Sequence, residues 1–372
     1  MHEEPSGVWI MAYTTIDDPS AHFQTTLYTG NRSSSQTITN DGNSDLKPDW
    51  LWIKPRNDTV LHSHSLFDST RGVTKGLASN LSEAEYTTSS KVTSFNTDGF
   101  SIGNGASVNQ PDRDVNYVTW QWKANGGTTT TNDASATGVG TIDSVYQANT
   151  TAGFSIVTYT GTTSAGTIAH GLGAVPKMII IKNRDDGAEN WAVYHAGIAS
   201  DAETDYMYLD TNNAAADDAN LFNDTAPTST VFSIGTSGVV NQAEAHVAYC
   251  FAEIKGYSKF GSYTGNGSTD GTFVYTGFRP AFIMARSHDN AEGWNMIDNK
   301  REGFNVNNDW LSANSTAAEN DGATYTLIDI LSNGFKWRNA DINGNGSGRN
   351  CLYMAFAEHP FVSSEGVPVT AR

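Results

Sequence analysis

Four short patterns recur three times along this chain, in the same order, and that order constrains the fold more than any other feature. Tyr-Thr-Gly stands at Tyr28–Gly30, Tyr159–Gly161 and Tyr263–Gly265. A proline and an apolar run follow: Pro48-Asp-Trp-Leu-Trp-Ile-Lys54, Pro176-Lys-Met-Ile-Ile-Ile-Lys182 and Pro280-Ala-Phe-Ile-Met-Ala-Arg286. Each run ends on a base. Next come Asp98-Gly-Phe-Ser-Ile-Gly103, Val231-Phe-Ser-Ile-Gly235 and Asn333-Gly-Phe-Lys-Trp337. Val118-Thr-Trp-Gln-Trp122, Val247-Ala-Tyr-Cys-Phe251 and Leu352-Tyr-Met-Ala-Phe356 close the series. From the second to the third occurrence the patterns shift by 103–105 residues, and from the first to the second by 128–132. Ordered patterns at near-constant spacing mark one structural unit written in tandem.

The local physics of each pattern is that of a strand. In Val118-Thr-Trp-Gln-Trp122 large apolar residues alternate with polar ones, which puts the large ones on one sheet face. The runs after the prolines are apolar throughout, as in strands covered on both faces. Asp98-Gly99, Asn333-Gly334 and Gly265-Asn-Gly267 are turn signals between strands. A unit of about 105 residues is a common domain size and could bury its own core. The expected fold is all-β: three tandem antiparallel β-sandwich domains of jelly-roll type, with a three-bladed or fused architecture as the competing arrangement. The boundaries read as an N-terminal arm at 1–26, units at 27–124, 153–260 and 261–361, and a C-terminal tail at 362–372. Residues 125–152, rich in Gly, Thr and Asn, read as a linker.

Composition narrows the function. Of 372 residues 38% are hydrophobic and 17% charged, so the chain can fold, but it has few runs suited to long helices. Lysine and arginine number 22 against 40 acidic residues, a net charge of −18. A field of that sign repels phosphate backbones and anionic membranes, so no nucleic-acid partner is expected. No run of about 20 apolar residues occurs, so no membrane insertion is expected. The acidic start lacks the basic, then apolar, pattern of a signal peptide. Cys250 and Cys351 are too few for a disulfide framework or a cysteine zinc site, and read as buried thiols.

Chemistry-bearing motifs are sparse. No nucleophile elbow, zincin helix, Walker loop or dinucleotide fingerprint is present. Glu83 and Glu85 share a strand face but lie in a Ser/Thr-rich stretch without aromatic neighbours. Glu253 and Glu358 recur at matching positions, which points to a structural role. His62-Ser-His64 could hold a transition metal, but no third ligand is evident and surface histidines are the plainer reading. Asp341, Asn343 and Asn345 open a pattern that resembles a calcium loop, yet Leu352 stands where the acidic twelfth ligand belongs. Calcium is thus the one weak cofactor candidate. Trp191, Trp294 and Trp310 follow polar loops and could stack on sugars. The matching offsets of Trp191 and Trp294 favour core packing instead.

Several of these stretches resemble a repeat found in structural proteins of tailed bacteriophages from marine and aquatic environments. The resemblance lies in the Tyr-Thr-Gly start, Pro48–Lys54, Asp68-Ser-Thr-Arg-Gly72 and Asp98–Gly103. It extends to Ala12-Tyr-Thr-Thr-Ile-Asp-Asp-Pro-Ser-Ala-His-Phe23 and Ala355-Phe-Ala-Glu-His-Pro-Phe361, and covers nearly the whole chain. It implies a virion component near tail or fibre genes, assembled in the host cytoplasm and extracellular when mature. No functional residues come with it. Asp298-Asn-Lys-Arg301 matches the Asp-Ser-x-Arg motif only in part and the middle unit has Tyr194-His195, which argues against a shared role. The expected function is a non-enzymatic tail fibre or spike that contacts host surface glycans and other virion proteins, as a homo-oligomer with a trimer favoured. The alternatives are a capsid decoration or head-fibre protein, and a polysaccharide depolymerase.

Overall fold

The computed structural model describes residues 13–305, 307–320 and 327–368. The first part of the chain runs β1 (Phe23–Thr29), β2 (Gln36–Ile38), β3 (Trp50–Pro55), β4 (Ser65–Asp68), β5 (Lys75–Leu77), β6 (Tyr86–Thr87), β7 (Val92–Phe95), β8 (Phe100–Ile102) and β9 (Asn116–Trp122). The middle holds β10 (Thr130–Asn132), β11 (Ser144–Asn149), β12 (Phe154–Thr160), β13 (Gly166–Ala169), β14 (Pro176–Asn183), β15 (Ala192–His195), β16 (Asp205–Tyr208), β17 (Ala216–Asp217), β18 (Val231–Ile234) and β19 (Ala245–Ala252). The last part holds β20 (Ser258–Thr264), β21 (Phe273–Tyr275), β22 (Phe278–Ser287), β23 (Asn295–Asp298), β24 (Leu311–Ser312), β25 (Ile328–Leu331), β26 (Gly334–Trp337) and β27 (Asn350–Pro360).

The chain is all-β, in several antiparallel sheets. Three large sheets have the orders β1-β9-β3-β4-β5-β6, β10-β11-β12-β19-β14-β15-β16-β17 and β20-β27-β22-β23-β24. The same sequence of strands recurs in each: the Tyr-Thr-Gly strand, the closing strand, the post-proline strand and its hairpin partner. Small sheets β2-β8-β7, β13-β18 and β21-β26-β25 accompany them.

Period two sorts the side chains. In β3, Leu51 and Ile53 pack with Phe100 and Ile102 of the first small sheet. Trp50 and Trp52 point the other way, into a core that includes Tyr249 and Phe251 of the second sheet and Phe282 and Phe356 of the third. Trp50 stacks on Tyr249 with centroids 4.3 Å apart. Trp122 meets Phe251 and Phe282 edge-on, and Phe23 stacks on Phe356. The first and third units thus each close a core of their own between large and small sheet, and beside these lies an interior fed by all three large sheets. The reason is the closing strands, whose alternate aromatic residues face away from their own small sheets and need a common cover.

The three segments expected to flank the units also carry structure of their own. The expected linker 125–152 contains β10, a one-turn helix at Ala134–Thr137, and β11, and extends the second sheet beyond β12. Of the expected arm, residues 1–12 lie outside the described residues. Thr14 and Ile16 are buried, and Tyr13 Oη donates to the Gly277 carbonyl at 2.9 Å. Of the expected tail, residues 369–372 lie outside the described residues. Val362 bridges Pro368, and Ser364 hydrogen-bonds Asp17 through its backbone N–H at 2.7 Å, so the segments near the two ends meet. No helix among the described residues is long and apolar enough to cross a membrane.

Candidate functional site

The sequence patterns first build their own turns. Tyr28, Tyr159 and Tyr263 each donate a hydroxyl hydrogen bond, to the carbonyls of Val108, Val240 and Gly344, at 2.9, 2.7 and 2.7 Å. The residue after each carbonyl is a fully buried asparagine: Asn109, Asn241 or Asn345. Asn109 Nδ2 bonds the Ser33 and Gly103 carbonyls, and Asn241 Nδ2 those of Ser164 and Gly235. Asn345 Nδ2 bonds the Ser268 and Asn339 carbonyls, while its Oδ1 accepts from Asn266 N. The glycine of Tyr-Thr-Gly is required where the chain passes this clamp. A Cβ on Gly161 would lie 2.0 Å from the Gln242 carbonyl oxygen, and one on Gly265 2.4 Å from that of Gly346. Asn345 is thus committed to the loop. Asp341 caps the one-turn helix Ile342–Asn345 by accepting from Asn343 N at 2.7 Å. Asp341 and Asn345 thus serve the turn, while Asn343 Oδ1 accepts from Gly293 N of another loop at 3.4 Å, so the three side chains are engaged separately and not as a calcium cage.

The titratable clusters lie where large sheets meet, and they repeat around the core. Asp68 ends β4. Its Oδ2 accepts from Arg71 Nε at 2.6 Å and from Tyr249 Oη of the second sheet at 2.8 Å. Asp298 ends β23. Its Oδ2 accepts from Arg301 Nε at 2.7 Å and from Trp120 Nε1 of the first sheet at 3.0 Å. His195 ends β15 at the matching place. Its Nδ1 accepts from Gly197 N, so Nε2–H donates to the Tyr353 carbonyl of the third sheet at 3.1 Å. The Asp-x-x-Arg motif therefore has one role at two junctions, and the partial match at Asp298–Arg301 is a full structural one. Each arginine then grips a glutamate. Glu85 pairs with Arg71 and with Arg184 of the second sheet, both at 2.8 Å. Glu319 pairs with Arg301 at 2.8 Å and with Arg56 of the first sheet at 2.7 Å. At the third junction Ala215 and His288 hold these places, and only the backbone bond Ala215 N to His288 O, 2.7 Å, remains.

A second ring runs beside the first. Trp191 Nε1 donates to the Ala78 carbonyl at 3.0 Å, and Trp294 Nε1 to that of Tyr208 at 3.1 Å. His64 takes the same place in the first sheet. It accepts from Trp52 Nε1 through Nδ1 at 2.8 Å, so Nε2–H donates to the Ser312 carbonyl at 3.0 Å. Burial holds the imidazole of His64 well below the usual range, and that of His195 at about 4. Burial opposes charge on Arg71, but Asp68, Tyr249 and Glu85 outweigh it and raise its pKa. Burial likewise pushes the Glu85 carboxyl up, and Arg184 and Arg71 more than reverse this, leaving it lowered.

These facts place the remaining candidates. Trp191 and Trp294 are 0% exposed, so neither can stack on a sugar. Trp310 is half-buried against the outer core of the third sheet. His64 is a buried junction residue, not a surface one, while His62 pairs with Asp58, so the two imidazoles do not share a site. Glu253 pairs with Lys259, and Glu358 with Arg279. Cys250 and Cys351 are buried free thiols, the latter pushed up to about 12 by burial. Among the described residues no three His, Cys, Asp or Glu gather as a metal site.

One surface feature escaped the sequence reading. β21 alternates, with Val274 inward and Phe273 and Tyr275 outward at 44% and 49% exposure. Tyr13 Oη lies 3.3 Å from Tyr275 Oη, and the Lys255 ammonium sits 4.6 Å from the Tyr13 ring centre. Phe273 pairs across the strands with Lys336, which bonds Asp270 at 2.5 Å. The strip offers aromatic faces flanked by hydroxyls and charges, the chemistry that grips a sugar ring. The period-two pattern of Phe273-Val-Tyr275 marks the strand. Only the fold shows that its outer face stays open.

A family model matches residues 18–360, and that family is described as a domain of unknown function, DUF7483. The chain belongs to the DUF7483 family. No curated protein matches it. The DUF7483 match takes in all three large sheets and every junction between them.

Proposed function

We propose that this chain is a non-enzymatic structural protein of a bacteriophage particle, a tail-fibre or spike adhesin that meets host surface glycans. The reading rests on the resemblance to phage structural repeats, and the observation that carries it is the Phe273–Tyr275–Tyr13 strip. The deeply buried ionic clusters described above are spent on joining sheets, while this strip presents aromatic faces to solvent. We further propose that the recurring strand orders are three copies of one sandwich unit of jelly-roll type, fused about a common centre. Oligomers of the chain, trimers above all, would multiply weak contacts into avidity.

The test is adsorption. Purified protein should bind susceptible host cells or their isolated polysaccharide, and Phe273→Ala with Tyr275→Ala should reduce binding at least tenfold with the fold intact by circular dichroism. Equal binding by the double variant removes the strip from the proposal. No binding to any susceptible host, with antibodies that fail to block adsorption, removes the adhesin function.

A further inference from the structure

The Tyr-Thr-Gly strand ends the first and third large sheets, as β1 and β20, whereas in the second sheet β12 is followed outward by β11 and β10. Gly30 N bonds the Val115 carbonyl, and Lys123 N bonds that of His22, which fixes the ladder phase of β1 against β9. Alternation then turns the N–H and C=O groups of Thr25 and Leu27 outward. β1 ends its sheet, so among the described strands nothing pairs with that edge. The matching edge of β12 is filled. β11 pairs with it antiparallel, with Gln147 opposite Ile156. Gln147 Nε2 reaches across to Ser69 Oγ and Thr70 Oγ1 of the neighbouring sheet at 2.7 and 2.6 Å.

The unfilled counterpart is a cavity of about 150 Å³ between β1 and the third sheet, lined among others by Phe23, Thr25, Ala281, Asn299, Lys300 and Ala357. Thr25 matches Ile156 in distance from Tyr-Thr-Gly. Asn299 and Lys300 follow Asp298 as Ser69 and Thr70 follow Asp68. The Thr25 hydroxyl is buried without a partner. A solvent-exposed ion pair, Lys300 to Asp41 at 3.0 Å, spans the opening.

From this filled and unfilled pair we infer that the β1 groove docks an extended strand of a partner polypeptide, antiparallel to β1, with a glutamine or asparagine side chain opposite Thr25. The main chain of the partner would complete the ladder at Thr25 and Leu27, as in strand addition to an open edge. Its carboxamide would take the place that Gln147 holds at the neighbouring junction, bonding Thr25 Oγ1 and Asn299. The Asp41–Lys300 pair would open to admit it. This inference is independent of glycan binding.

The probe is a synthetic peptide of residues 141–150, TIDSVYQANT, added to the full chain, with amide exchange followed by NMR. In free protein the Thr25 and Leu27 amides should exchange fast, while those of Ile156 and Thr158 are protected. Peptide at millimolar concentration should slow Thr25 and Leu27 at least tenfold. Lys300→Ala should tighten the peptide several-fold, and Thr25→Val, close in shape, should abolish the preference for this peptide over its Gln→Ala form. Protected Thr25 and Leu27 amides in the free protein would overturn the inference. So would unchanged exchange with peptide in both wild type and Lys300→Ala, or equal protection by a scrambled peptide.

Discussion

Tyr249 Oη donates a 2.8 Å hydrogen bond to Asp68 Oδ2, joining the closing strand of the second sheet to the hairpin of the first. Trp120 does the same for Asp298 between the first and third sheets. At the remaining junction Met354 holds the place of the donor, and His195 turns to a backbone carbonyl instead. Tyr249→Phe keeps the ring stack on Trp50 and removes only the hydroxyl. Because its acceptor is a buried carboxylate, the expected loss is about 1.5–3 kcal/mol, read from urea unfolding. A loss below a few tenths would mean that the bonds from Thr70 and Arg71 suffice for Asp68.

Removing one member of a buried ion cluster strands the others. Glu85→Ala leaves Arg71 and Arg184 facing each other with their shared carboxylate gone, and should cost about 3–5 kcal/mol. Asp41→Ala, which breaks only the solvent-exposed pair with Lys300, should cost no more than about 1 kcal/mol. Similar losses for the two variants would contradict the burial difference.

The shared interior predicts one unfolding event. Calorimetry should show a single transition, and near-ultraviolet signals should change at the same midpoint as backbone signals. Trp122→Ala, which empties a site touching aromatic residues of all three large sheets, should lower that midpoint with a loss of about 3–5 kcal/mol. Three separable transitions would mean that the sheets fold on their own cores.

Acid should lower the stability of the fold over two successive pH ranges. An unfolded histidine takes a proton near pH 6.5, whereas His195 resists until about 4. Between those values the unfolded chain binds more protons, so stability falls as pH falls, for His195 by an amount on the order of 3 kcal/mol. His64 adds to this. Glu85, whose pKa is lowered in the fold, contributes stability that is lost at still lower pH. Asp210 and Asp309, raised to about 6 mainly by burial, act in the opposite sense between their unfolded value and about 6. The check is melting temperature against pH, where His195→Gln should flatten the slope between pH 6.5 and 4. An unaltered slope would remove His195 from the acid response.

Asn345 separates a turn from a metal loop. Its carboxamide makes several hydrogen bonds within the loop, so Asn345→Ala should cost about 1–3 kcal/mol whether or not calcium is present. Millimolar calcium or a chelator should leave the wild-type melting temperature unchanged. A calcium-dependent rise that disappears in Asn345→Ala would restore the loop as a metal site.

The repeated patterns and their alternation were enough to read an all-β chain, because strand periodicity and turn chemistry are local and each pattern carries its own. Leu51 and Ile53 against Trp50 and Trp52 could be read as a strand covered twice, but nothing local says what covers the second face. Trp191 and Trp294 matched in offset, which hinted at packing, yet their hydrogen-bond acceptors lie 113 and 86 residues away. Residues 125–152 looked like a linker because Gly, Thr and Asn favour loops, while sheet edges accept any sequence whose backbone can pair. The joining of Asp68 to Tyr249 and of Glu85 to Arg184, and the openness of β1 and β21, depend on which surfaces meet once the sheets surround a common core. That is a property of three-dimensional packing, and no pattern within a single strand encodes it.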